Sequence, residues 1–141
     1  MATKDATKTA AGAGGVYTPG SPYRSAKNVI DFATFGIGAS GADTVNVLPM
    51  KKGEFVQAVY MRIESPAGAG VTIKLDDSRT GGGAVLAATA ADTAVGTTTK
   101  AAGAAAGACG TTDGFLTMTT GAAVAAAAGK VTVYAVIGNA F

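Results

Sequence analysis

Two neighbouring runs decide the fold: Phe55-Val-Gln-Ala-Val-Tyr-Met-Arg-Ile63 and Val71-Thr-Ile-Lys-Leu75, separated by the turn-rich stretch Glu64 to Gly70. In the first, Val59, Met61 and Ile63 alternate with Tyr60, Arg62 and Glu64. In the second, Val71, Ile73 and Leu75 alternate with Thr72, Lys74 and Asp76. A period of two belongs to a half-buried strand, because successive side chains leave opposite faces of a sheet. The spacing predicts an antiparallel pair, with Tyr60, Arg62, Thr72 and Lys74 on the face away from the core.

Working outward, the same alternation recurs. Val29–Phe35 predicts a strand ended by the glycines from Gly36, and Asp43–Leu48 predicts one stopped by Pro49. Met50–Glu54 is a polar turn with Gly53 at the position needing positive φ. Ala84–Thr89 is a weak strand, residues 90–113 form a long Ala/Gly/Thr loop with poor strands around Ala94–Lys100, and a helical turn is conceivable near Ala101–Ala106. Phe115–Thr119 alternates again. Lys130–Ile137 closes the chain as a strand with Val131, Val133, Ala135 and Ile137 inward and Tyr134 outward. Seven or eight short strands joined by Gly-rich turns indicate an all-β sandwich or barrel. Nothing places a long amphipathic helix between strands, so a parallel α/β sheet is not expected.

Composition narrows the function. The chain has 141 residues, enough for one core, with only 14% charged residues, one cysteine and neither Trp nor His. Lys4, Lys8, Arg24 and Lys27 stand against Asp5 alone in residues 1–27, and the remainder is near neutral. That is a mildly basic arm, not a nucleic-acid footprint. The N-terminus has no apolar h-region, so no signal peptide is expected. The Ala-rich stretches are too interrupted by Gly, Thr and Asp to cross a bilayer. Residues 1–27 hold almost no large aliphatic side chain and read as an extended arm, ordered by a neighbouring subunit through Tyr17, Tyr23 and Arg24, or as a disordered tail. Residues 28–141 form the sandwich domain.

Chemical motifs are few. Gly36-Ile-Gly-Ala-Ser-Gly41 matches a dinucleotide fingerprint, but its last glycine must open a helix, and the β-branched run before Pro49 does not suit one. Gly121–Lys130 has the wrong spacing for a phosphate loop, and Val131 stands where Ser or Thr is required. Without His the commonest general base is missing, and Cys109 has no base beside it in sequence. Asp76-Asp77, Asp92 and Asp113 could bind calcium, although acids in turns more often cap backbone amides. No catalytic, cofactor or metal residue is therefore assigned.

The order of elements carries a resemblance. A polar arm leads to Phe35-Gly-Ile-Gly-Ala39, then Asp43-Thr-Val-Asn-Val-Leu48 and the Lys51-Lys-Gly-Glu-Phe55 turn. A long alternating strand, a strand ending Leu75-Asp-Asp77, a small-residue middle and Ala128-Gly-Lys-Val-Thr-Val-Tyr-Ala-Val-Ile137 follow. Over residues 28–141 this resembles the capsid decoration (cement) proteins of tailed bacteriophages. The resemblance implies a jelly-roll-like antiparallel β-sandwich without enzymatic activity. It also implies a trimer on the capsid exterior that contacts the major capsid protein; motifs, charge and hydropathy lead to the expectation of no cofactor and no direct nucleic-acid or membrane partner. The arm would then supply the contact residues Tyr17, Tyr23 and Arg24, and the outward face of the central pair adds Tyr60 and Arg62. A tail or head-fibre component and a carbohydrate-binding sandwich are the alternatives.

Overall fold

The alternating runs become strands of two facing sheets. The computed structural model describes residues 3–7, 23–37, 43–80, 83–91, 94–96, 98–101, 110–121 and 129–139. Its strands are β1 (Thr3–Asp5), β2 (Tyr23–Asp31), β3 (Thr44–Met50), β4 (Glu54–Ser65), β5 (Thr72–Asp77), β6 (Ala84–Ala90), β7 (Thr98–Ala101), β8 (Gly114–Thr120) and β9 (Lys130–Asn139). A single helical turn, α1 (Phe32–Phe35), follows β2. One sheet runs β1-β3-β8-β5-β6 and the other β2-β9-β4-β7.

The pairs β2·β9, β3·β8, β4·β7 and β5·β6 are all antiparallel and nest inside one another in sequence. They describe one long hairpin rolled so that its strands fall alternately into two sheets, which is the jelly roll. Strand β1 is an addition outside this scheme, parallel to β3 through Thr3↔Thr44, Lys4↔Val45 and Asp5↔Asn46.

The hairpin expected between the two central runs is absent. β4 pairs with β7 and β9, whereas β5 pairs with β6 and β8. The segment after Ser65 carries the chain from one sheet to the other. The apolar faces are the expected ones: Val59, Met61, Ile63, Val71, Ile73 and Leu75 are all buried in one core. They fill it from opposite sides. The polar sets therefore lie on opposite outer faces, with Tyr60 and Arg62 on the four-stranded sheet and Thr72 and Lys74 on the five-stranded one.

Three local departures have simple causes. The strand predicted to reach Phe35 ends at Asp31, whose carboxylate Oδ1 accepts from the amides of Ala33 (3.0 Å) and Thr34 (3.3 Å) and so caps α1. Phe32 is then turned into the core. Pro49 does not stop β3, which continues to Met50. β1 accompanies β3 only as far as Asn46, so on that side Pro49 meets no ladder in which its missing N–H would be felt. Finally, β2 begins at Tyr23, ahead of the boundary drawn at Lys27, because residues 23–27 continue the alternation of Val29 and Ile30 and pair with β9. Gly53 adopts φ +84° at the β3–β4 turn, as its place there requires. The expected inward set of β9, Val131, Val133, Ala135 and Ile137, is buried, and Tyr134 faces out. The helical turn near Ala101–Ala106 lies largely outside the described residues, while Ala101 itself belongs to β7.

Candidate functional site

Side chains on the outer face of the four-stranded sheet are fixed by strand phase. On β2 the inward positions are Arg24, Ala26, Asn28 and Ile30, which leaves Tyr23, Lys27 and Val29 outside. On β9, burial of Val133 and Ala135 puts Tyr134 outside. On β4, a bulge between Val56 and Ala58 shifts the phase, so Phe55 before it and Tyr60 and Arg62 after it share the outer face. All four aromatic residues in the strands of this sheet, Tyr23, Phe55, Tyr60 and Tyr134, thus fall on one surface. The other sheet has a single strand aromatic, Phe115, and its outer face is dominated by threonines and the Lys74–Asp76 ion pair (3.1 Å).

Register brings these residues into rows. Lys27, Tyr134 and Tyr60 are successive cross-strand partners on β2, β9 and β4. The Lys27 ammonium sits 5.7 Å from the centre of the Tyr134 ring, within cation–π range. Past the row Ser25, Val136 and Ala58, Tyr23, Gly138 and Phe55 form a second aromatic row toward the sheet end. A Cβ on Gly138 would run into the Phe55 ring, so glycine here is what lets Phe55 lie flat across β9. The Tyr23 and Phe55 rings meet edge to face, 6.4 Å apart at 83°. Arg62 lies at the margin, half-exposed and 3.8 Å from Glu64, whose carboxylate also accepts from Thr132 Oγ1 at 2.9 Å.

Of the five contact residues expected from sequence, Tyr23, Tyr60 and Arg62 come together here. Tyr17 lies outside the described residues. Arg24 does not belong to the surface at all. It is buried and its Nε and Nη2 donate to Glu54 Oε1 (2.9 Å) and Oε2 (3.0 Å), with Nη2 also donating to the Pro49 carbonyl (3.3 Å). Glu54 Oε2 further accepts from the Lys51 amide at 2.7 Å. A second buried pair stands beside it. Arg79 donates through Nε and Nη2 to both carboxylate oxygens of Asp77, and through Nη1 to the Lys51 carbonyl (2.7 Å). The β3–β4 turn is therefore bolted to both sheets by bidentate ion pairs, in which the planar guanidinium satisfies its carboxylate with two parallel bonds.

This arrangement also accounts for Asp76-Asp77. Strand alternation sends Asp77 inward to Arg79 and Asp76 outward to Lys74. Asp113 accepts from the Lys52 amide at 2.8 Å, while Asp92 and Cys109 lie outside the described residues. Among the described residues no group of three metal-binding side chains gathers, no cavity opens, and no helix is long and apolar enough to cross a membrane.

Phe55, Lys27 and Val29 on this face were missed by sequence reasoning, and Tyr134 was expected to face outward but not as part of a contact surface. Plain alternation would turn Phe55 inward with Val59 and Met61, and only the bulge between Val56 and Ala58 reverses it; the rows that join these residues depend further on β9 lying between β2 and β4. Chemically the face offers rigid, amphipathic rings with cations at its margin, the composition that carries energy in protein contacts. Four strands about 4.8 Å apart and about nine residues long at ~3.3 Å each give a footprint of about 600 Å², on the scale of the ~800 Å² per partner of a stable interface.

No protein-family model matches the chain, and no curated protein matches it either. Three solved structures are similar in fold. A chain from the "Cyanophage Pam1 capsid asymmetric unit" superposes with a TM-score of 0.66 at 16% identity, over 88% of this chain and 89% of that one. One from the "Capsid of Ralstonia phage GP4" gives 0.55 at 14% identity, over 99% of both chains. One from the "Acidic stable capsid structure of Helicobacter pylori bacteriophage KHP30" gives 0.50 at 12% identity, over 87% and 90%. At these identities the likeness is one of fold: the chain has the β-sandwich found in chains of three bacteriophage capsids.

Proposed function

We propose that this chain is a non-enzymatic structural protein of a bacteriophage virion. In this reading it decorates the capsid exterior as a trimer and stabilises the shell by binding neighbouring major capsid subunits. The observation that carries it is the near end-to-end likeness, over 99% of both chains, to a chain of a phage capsid. The aromatic face of the four-stranded sheet supports it, since a sheet face without a cavity among its described residues that bears Tyr23, Phe55, Tyr60 and Tyr134 suits a broad protein contact better than a small-molecule site. We assign the capsid contact to this face, with Lys27 and Arg62 at its rim.

Tyr60→Ala combined with Tyr134→Ala tests this in co-sedimentation with undecorated shells. Each truncation is expected to cost about 2 kcal/mol or more of binding, as central tyrosines do, and so to reduce retention on shells steeply. Both rings are on the outer face, so the melting temperature should change little. Retention equal to the parent protein would remove this face from the interface. A carbohydrate-binding role is the second reading, favoured by the gathering of three tyrosines on one face. Glycan-array binding that is lost in the same double variant would select it.

A further inference from the structure

The socket that holds β1 has a feature the rolled hairpin does not need. Ala6 is fully buried at the edge of β3, its amide donating to the Asn46 carbonyl at 3.0 Å. The Asn28 side-chain amide, buried on β2, donates one N–H to the Ala6 carbonyl and the other to the Val47 carbonyl, both at 2.8 Å. Asn28 thus bridges the resident strand β3 and the incoming residue. With no chain in the socket, one of its donors would be buried without that acceptor, a cost of about 1–3 kcal/mol unless water replaces it. The socket is built for an occupant.

Which copy supplies the occupant is a question of reach. Ala6 touches Asn28, which lies five residues along β2 from Tyr23, or roughly 17 Å at ~3.4 Å per residue. The connection from Thr7 to Tyr23 contains fifteen residues, 8–22, and can span about 50 Å. It is about three times longer than closure on the same sandwich requires. A 141-residue domain has a radius of gyration near 14 Å, equivalent to a sphere about 37 Å across, so the connection also exceeds the width of a domain. The contacts of β1 in the socket are the same whether the strand comes from its own chain or from another. Their difference in free energy is therefore one of chain entropy, which close packing of copies in an assembly makes small.

We propose that β1 is an exchanged strand: in the assembled protein, residues 3–7 of one copy occupy the β3–Asn28 socket of a second copy and tie the two together. The inference concerns copies of this chain alone and does not rest on the capsid reading.

Cross-linking tests it on the full chain. Thr3 and Thr44 are register partners, neighbours at about 4.8 Å between Cα atoms, within the range a disulfide accepts. A tagged chain carrying Thr3→Cys and an untagged chain carrying Thr44→Cys, both with Cys109→Ser, are co-expressed, purified at high concentration and oxidised. The expected product is a tagged–untagged covalent dimer on a non-reducing gel, and a ladder of dimers and higher forms for the double variant Thr3→Cys/Thr44→Cys. An internally cross-linked monomer from the double variant, with no mixed dimer from the co-expressed pair, would overturn the exchange. Absence of any cross-link in either sample would overturn the socket itself.

Discussion

Arg24 shows how much a single residue's placement governs. Its guanidinium and the Glu54 carboxylate are matched in a bidentate pair with almost no access to water, and Glu54 also holds the Lys51 amide. The net worth of such a pair against an apolar replacement is small, but breaking it from one side strands a charge in the core. Arg24→Leu is therefore expected to cost about 3–5 kcal/mol in urea-induced unfolding. The double change Arg24→Leu with Glu54→Leu should recover part of that loss and not all, because the Lys51 amide loses its acceptor. A single variant as stable as the parent would mean that the pair is solvated. The inward phase of Arg24 was legible: Ile30, Asn28 and Ala26 mark the buried side of β2, and Arg24 is next in that series. What hid it was the sound prior that arginine stays at the surface, together with the absence of any local sign that Glu54 would be waiting on a strand thirty positions away.

At the scale of elements, alternation disclosed faces and left partners open. β4, β5, β8 and β9 are each legible as strands, and the inward sets expected for β4, β5 and β9 are buried. Alternation is a property of one strand against two sides of a sheet, so it is silent on which strand lies alongside. A short, turn-rich connection between β4 and β5 serves a crossing between sheets as well as a hairpin. The jelly-roll nesting depends on pairings between strands far apart in sequence, such as β2 with β9, and those are set by the joint burial of both sheets. The bulges in β3 and β4 were equally invisible, yet the β4 bulge is what puts Phe55 and Tyr60 on the same face. The sheet orders give a direct expectation for amide exchange. β9, flanked by β2 and β4, and β8, flanked by β3 and β5, should carry the slowest amides, and the edge strands β6 and β7 the fastest. Faster exchange in β9 than in β7 would contradict this strand order.

The whole molecule combines a rolled sandwich, a turn pinned by two buried ion pairs, and one outer face that concentrates the aromatic residues of its sheet. The order of elements in the sequence resembles that of phage capsid decoration proteins, and the fold is similar to that of chains in three phage capsids. The most direct measurement is cryo-electron microscopy of phage shells incubated with this protein. The proposed function predicts density for a trimer on the shell exterior, with Tyr60 and Tyr134 of the four-stranded sheet against major capsid subunits. Bare shells, or bound protein whose four-stranded sheet faces solvent, would contradict it.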